Sequence, residues 1–111
     1  MKHVSFVLVS LALFIFICGV FLPPEIQGAG GSDKKGKYYF KKSCKTCHGK
    51  DGDGGELTPM SKTQAQWETF FTAGKHGEQD MTDVMEEEKL IHVQTFLINH
   101  AADSSQPETC G

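Results

Sequence analysis

Apolar residues along this chain fall into separate blocks with different periods. The first, residues 4–22, is interrupted only by Ser5, Ser10 and Gly19 and has no polar face. It follows Lys2 and His3 and ends at Pro23 and Pro24, the layout of an export leader. A small-residue stretch from Gly28 to Gly31 then offers a signal peptidase a cut after Gly28 or Ala29. The run is also about long enough to span a bilayer, so an uncleaved anchor is the alternative. Lipid attachment at Cys18 is disfavoured by bulky Ile17 before it. In each case residues 1–29 stand outside the fold and carry the remainder out of the cytoplasm. The expected location is periplasmic, either soluble or held on the periplasmic face of the membrane.

The later blocks repeat at helical spacing. Residues 34–44 place Gly36 and Phe40 four apart on one face, with Tyr39 beside them. Residues 62–73 carry Trp67, Phe70 and Phe71, with Ser61 and Gln64 spaced as a capping box and Gly74 as the stop. A third helix is expected from about Asp83, with Glu86 completing a capping box. Glu87 and Glu88 suit its positive end, and Leu90, Val93, Phe96 and Leu97 form its buried stripe. No run alternates as a strand would. The fold class is therefore all-α, three main helices joined by glycine-rich loops. Once the leader is set aside, about 80 residues remain, enough for one small domain and no second. Its expected bounds are 30–102, followed by a polar, extended tail over 103–111 that contains Pro107.

Chemistry enters between the first two helices. Cys44, Lys45, Thr46, Cys47 and His48 spell Cys-x-x-Cys-His, the sequence for attaching a c-type haem. Two thiols three residues apart can each bond one vinyl group, and the adjoining imidazole can bind the iron as proximal ligand. A zinc site would need further Cys or His ligands at suitable spacing, and a thioredoxin-like pair would sit near a strand-helix-strand pattern. Neither is present: Cys18 and Cys110 lie alone near opposite ends of the chain. Asp51 and Asp53 resemble the opening of a calcium loop, but Gly55 takes the next acidic position and no glutamate closes it. The expected cofactor is one covalently attached haem c. So small a domain has a marginal core, and the haem supplies the apolar body its side chains pack around. The unliganded polypeptide is expected to fold poorly.

The order Gly36-x-x-x-Phe40-x-x-x-Cys44-x-x-Cys47-His48-Gly49, a glycine-rich turn, a Trp-bearing helix ending in glycine, a methionine and an amphipathic last helix resembles a class I c-type cytochrome. That resemblance covers nearly all of the exported part. It implies a small cytochrome c-like fold in which Gly36 and Phe40 pack against residues 93–97. It implies Met81 as distal ligand, from the loop after Gly74; Met81 is followed by Thr82, where the family commonly has proline. It also implies that the second ring nitrogen of His48 donates to the carbonyl of Pro59 or a neighbour in the segment 57–59. His76, in the same loop as Met81, is the alternative ligand and would lower the potential. Met60 is expected on the pocket floor and Met85 packed inward, with His92 and His100 on the surface. Trp67 either donates to a haem propionate or simply fills the core.

Charge adds a hint about partners. All eleven basic residues are lysines; seven of them lie between Lys34 and Lys50 without an acid among them, while acids dominate from Asp51 onward and the net charge is −3. Lysines around a haem edge would steer an acidic redox partner; a solvated helix face is the plainer account. Nucleic acid is not an expected partner of a mildly acidic, exported chain. The reading is an electron-transfer protein, a monomer and not an enzyme, shuttling single electrons between redox proteins. The alternative is a haem sensor or peroxidase-like enzyme with an open sixth position, which lacks both an arginine and spare sequence for a substrate pocket. A fixed subunit of a larger oxidase or reductase would use the same chemistry. Cys110, left over after haem attachment, is either free or bonded to another thiol.

Overall fold

The computed structural model of the chain describes residues 30–109. The leader, Cys18 and Cys110 lie outside them. Helix α1 spans Asp33–Tyr39, followed by a π-helical turn over Phe40–Cys44 and a short helix α2, Lys45–His48. A 3-10 turn at Pro59–Ser61 leads to α3, Gln64–Ala73. A hairpin of two-residue strands follows, β1 Lys75–His76 antiparallel to β2 Gln79–Asp80, then α4, Met81–Val84, and α5, Glu87–Asn99. The fold is mostly helical, as expected. Among the described residues no helix is long and apolar enough to cross a membrane.

Two helices, α1 and α3, begin where a side chain satisfies free N–H groups, whereas Glu86 makes no side-chain cap bond at the start of α5. Ser32 Oγ accepts from Lys35 N at 3.3 Å and caps α1. Helix α3 starts later than expected: Thr63 and Gln66 form its capping box, because Thr58 and Ser61 are already paired in a box around the 3-10 turn. Gly74 ends α3 in the left-handed conformation, with φ of 66°. Asp83 does not open the last helix. It sits in α4, and the backbone is extended at Met85, which is buried, before α5 begins after Glu86.

The core is the crossing of α1 and α5. Gly36 lies against α5 so closely that a Cβ there would stand 1.9 Å from the His92 carbonyl oxygen. That approach brings the Phe40 and Phe96 rings to 5.8 Å, both fully buried, with Trp67, Val93, Leu97 and Ile98 completing the cluster. Polar contacts fasten the same crossing. Gly31 N donates to Thr95 Oγ1 at 2.9 Å, and Ser32 N donates to His92 Nδ1 at 2.8 Å, so His92 is half-buried and engaged rather than a surface residue.

The segment after α5 corrects another expectation. Instead of extending, it doubles back. Ala101 is fully buried, Asp103 Oδ1 accepts from Gln64 N at 2.7 Å, and Glu108 N donates to the His100 carbonyl at 3.1 Å. His100 is the hub. Its Nε2 lies 2.8 Å from Asp33 Oδ2, its Nδ1 lies 2.7 Å from the Gln106 carbonyl and 3.6 Å from Glu108 Oε2, and Glu108 also pairs with Lys37. Two ring nitrogens facing oxygen acceptors are both satisfied only by the imidazolium. Burial lowers the His100 pKa, but the Asp33 carboxylate, the Gln106 carbonyl and Glu108 outweigh it, and the net shift is upward.

A group whose pKa is raised by folding adds stability that is complete below its unfolded value, about 6.5 for histidine. That stability is lost as pH climbs through the raised folded value. Asp33 is partly exposed, which discounts the pair, and we expect about 1 kcal/mol, or roughly 5 °C in Tm, to disappear on the alkaline side. His100→Gln should flatten this limb of the Tm–pH curve. Equal alkaline loss in both proteins would remove His100 as its source.

Candidate functional site

Two cysteines three residues apart share one side of a helical turn. Here the widened turn at Phe40–Cys44 sets which side. Its C-terminal N–H, on Lys45, bonds to the Phe40 carbonyl, five residues back, so the chain turns more slowly than in an α-helix. Phe40 stays buried against α5 while Cys44, Cys47 and His48 all reach a single cavity of about 360 Å³. Such a volume lies within the range of cofactor-sized sites. The rest of its wall is almost wholly apolar: Trp67, Phe70 and Phe71 from α3, Met81 and Val84 from α4, Met85, and Leu90, Val93 and Leu97 from α5. Burial pushes the Cys44 thiol up to about 11, which keeps it a neutral thiol in this wall.

His48 is held from behind. Its Nδ1 donates to the Gly55 carbonyl at 3.1 Å, which leaves Nε2 as the nitrogen with an available lone pair. The acceptor is thus Gly55 and not a carbonyl of 57–59, because the loop 49–56 folds directly over the ring. Gly54 permits this: a Cβ at 54 would lie 2.8 Å from His48 Cε1 and 2.9 Å from Nδ1. The carbonyl of Pro59 has another partner. Trp67 Nε1 donates to it at 2.7 Å, so the buried indole is satisfied within the protein and is not held for a propionate. Pro59 is itself buried, and its part is to position Trp67 through that oxygen.

Both expected candidates for the second ligand line the same cavity as His48. His76 reaches it from β1 and Met81 from the start of α4. The hairpin that carries His76 is tightly specified. Gly77 opens its two-residue turn with φ of 64°, Lys75 pairs with Asp80 across the strands, and Met81 N donates to the Gly74 carbonyl at 2.9 Å. The His48 and His76 rings lie 6.0 Å apart, centre to centre, with planes at 81°. Met60 is not on the pocket floor: it is 38% exposed, directed outward by the 3-10 turn, and does not line the cavity.

One residue was missed. Lys62 also lines the cavity, the sole lysine among the described residues to do so, with its ammonium 5.7 Å from the Trp67 ring centre. Its place just before α3 carries no periodic signal, and only the fold brings it to the site.

These residues fit a covalently held haem: two thiols and an imidazole from one short stretch of chain, an apolar cavity between aromatic and aliphatic walls, further donors in its lining, and one cation able to face carboxylates. Residues 31–97 match the protein family described as cytochrome C oxidase, cbb3-type, subunit III, which is more than half of the chain. No curated protein and no solved structure matches it. With that match, the small helical fold and the Cys-x-x-Cys-His cavity agree, and the chain belongs to this family: it is a class I c-type cytochrome, an electron-transfer protein whose haem c is attached covalently.

Proposed function

We propose that this protein is an exported, single-haem carrier that passes electrons one at a time between redox proteins. The observation that carries this reading is the placement of Cys44, Cys47 and His48 together on one cavity whose remaining surface is almost wholly apolar. When bound, the haem supplies the one-electron change between ferric and ferrous iron. The chain's own residues do the rest. Cys44 and Cys47 hold the porphyrin by thioether bonds, so it is retained without depending on axial ligation. His48, its tautomer set by the Gly55 carbonyl, would hold the iron through Nε2. Trp67, Phe70 and Phe71 line the cavity and would exclude water from a bound haem, and Lys62, also in the lining, would balance its carboxylates.

Docking follows from charge. Lys41, Lys42 and Lys50 are exposed beside the attachment turn and favour an acidic redox partner. The family description names an oxidase subunit, and this supports a second arrangement in which the same carrier is fixed to such a complex. In either case the chain's partner is another redox protein, and it carries out no catalysis of its own.

The test is made on full-length protein from a host able to mature c-type cytochromes. Its mass should exceed that of the polypeptide by one haem, and its spectrum should change reversibly on one-electron reduction. An anionic one-electron oxidant should react faster than a cationic one of similar potential, a preference that fades at ionic strengths where the screening length falls to a few ångströms. Rapid carbon monoxide binding to the reduced protein would favour the sensor or enzyme class instead.

A further inference from the structure

We infer, on the basis of the haem-carrier reading, that Lys62 raises the potential of the haem by pairing with one of its carboxylates, and that the chain after α5 holds Lys62 in position. Lys62 fills a one-residue gap between two capping boxes. Thr58 and Ser61 close the first around the 3-10 turn, and Thr63 and Gln66 open α3 with the second. Lys62 is left extended between them, with φ of −140° and ψ of 159°. The returning C-terminal segment clamps the same junction. Ala102 N donates to the Lys62 carbonyl at 3.1 Å, and Asp103 Oδ1 accepts from Gln64 N at 2.7 Å. With its own carbonyl and both adjoining turns engaged, Lys62 reaches the cavity wall, where its ammonium lies 5.7 Å from the centre of the Trp67 ring.

Trp67 does not serve a haem carboxylate, since its N–H is given to the Pro59 carbonyl. Lys62 is placed to do so. It is half-buried against an almost wholly apolar lining, and none of the ion pairs formed among the described residues includes it. An ammonium drawn partly out of water needs an anion, and contact with a ring face replaces only part of that interaction. The haem carboxylates supply the missing charge. Negative charge near iron favours the ferric state, which is the more positive of the two, so a cation held against that charge favours the ferrous state and raises the potential. A lysine that only covered Trp67 with its stem and left its charge in water would have no such effect.

The experiment titrates the haem-loaded, full-length protein against a one-electron mediator and compares wild type with Lys62→Gln, Lys62→Arg and Lys34→Gln. Lys62→Gln should keep the wild-type spectrum while its equilibrium constant for reduction falls about tenfold, the effect of one unit charge roughly 12 Å away at an effective dielectric constant of about 20. For a one-electron couple that is a shift of about 59 mV. Lys62→Arg should restore the wild-type value. Lys34 is exposed on α1, and loss of its charge should matter little once salt screens it. Asp103→Ala tests the clamp. Loss of an acid would by itself raise the potential, whereas release of Lys62 should lower it, and that fall should vanish when Lys62→Gln is already present. An unchanged potential in Lys62→Gln, or an equal shift in Lys34→Gln at high salt, would overturn the role of Lys62. The absence of a fall in Asp103→Ala would overturn the role of the C-terminal segment. A colourless wild-type protein with the mass of the bare chain would overturn the haem reading itself.

Discussion

Replacing both Cys44 and Cys47 by serine should leave a chain with no cooperative thermal transition. The reason is the volume those residues border. The cavity of about 360 Å³ is walled by the Phe40–Cys44 turn, α3, α4 and α5, and it shares Phe40, Trp67, Met85, Val93 and Leu97 with the apolar cluster. Without the haem, the apolar side chains of this wall lose the packing contacts that the porphyrin would supply. A domain of this size has a total stability of only about 5–15 kcal/mol. Partial collapse of the flexible Met81, Met85 and Leu90 walls would recover some of the loss, but would do so by giving up a single packed arrangement. The expected product therefore has helical far-ultraviolet dichroism, weak near-ultraviolet signal and a broad melt. The check is a thermal scan of the double variant against the haem-loaded protein. A sharp transition of similar height and midpoint would show that the polypeptide packs without its prosthetic group.

Gly36→Ala should cost the haem-loaded protein about 3 kcal/mol or more. The added methyl would meet the His92 carbonyl oxygen at 1.9 Å, the His92 carbonyl carbon at 2.7 Å and Phe96 Cβ at 2.6 Å. Two of these are backbone atoms in the middle of α5, so no rotamer change makes room. The helices must separate, and separation loosens the Phe40–Phe96 contact together with the Gly31–Thr95 and Ser32–His92 hydrogen bonds. Denaturant unfolding would measure the effect. Gly55→Ala is a useful contrast, because a Cβ there meets nothing within 4 Å and only the positive φ of 77° is at stake. Its loss should be nearer 1 kcal/mol. Equal losses at the two sites would rule out close helix contact as the reason for Gly36.

How much of this was legible beforehand depended on distance along the chain. The attachment motif was, because covalent capture of one porphyrin needs two thiols and an imidazole within five consecutive residues. The α1–α5 crossing was legible through the resemblance to class I cytochromes, which implies that Gly36 and Phe40 pack against residues 93–97, while helical spacing alone gave the two helices and their apolar faces. Local chemistry also gave Gly74 as the end of α3. Other features depended on partners remote in sequence or on short elements without a period. Nothing in the residues 100–108 shows that His100 will meet Asp33, 67 positions earlier in the chain, and a polar segment reads as solvated until that partner is in place. The hairpin of two-residue strands is too brief for alternation to show, so His76 looked like a loop histidine. Competition decided other details. Thr63 displaced Ser61 as the cap of α3 because Ser61 was engaged with Thr58, and Gly55 displaced Pro59 behind His48 because Trp67 had claimed the Pro59 oxygen.

The slack turn before the two thiols has a consequence for anyone who moves this motif elsewhere. An α-helix advances about 100° per residue, so tightening Phe40–Cys44 to regular pitch would swing everything after it around the axis by a comparable angle relative to Phe40. Grafted onto an uninterrupted helix, the pentapeptide would present its sulfurs and imidazole to a different neighbour. The transferable unit therefore begins at the aromatic anchor upstream, and an engineer who copies only Cys-x-x-Cys-His leaves behind the part that aims it.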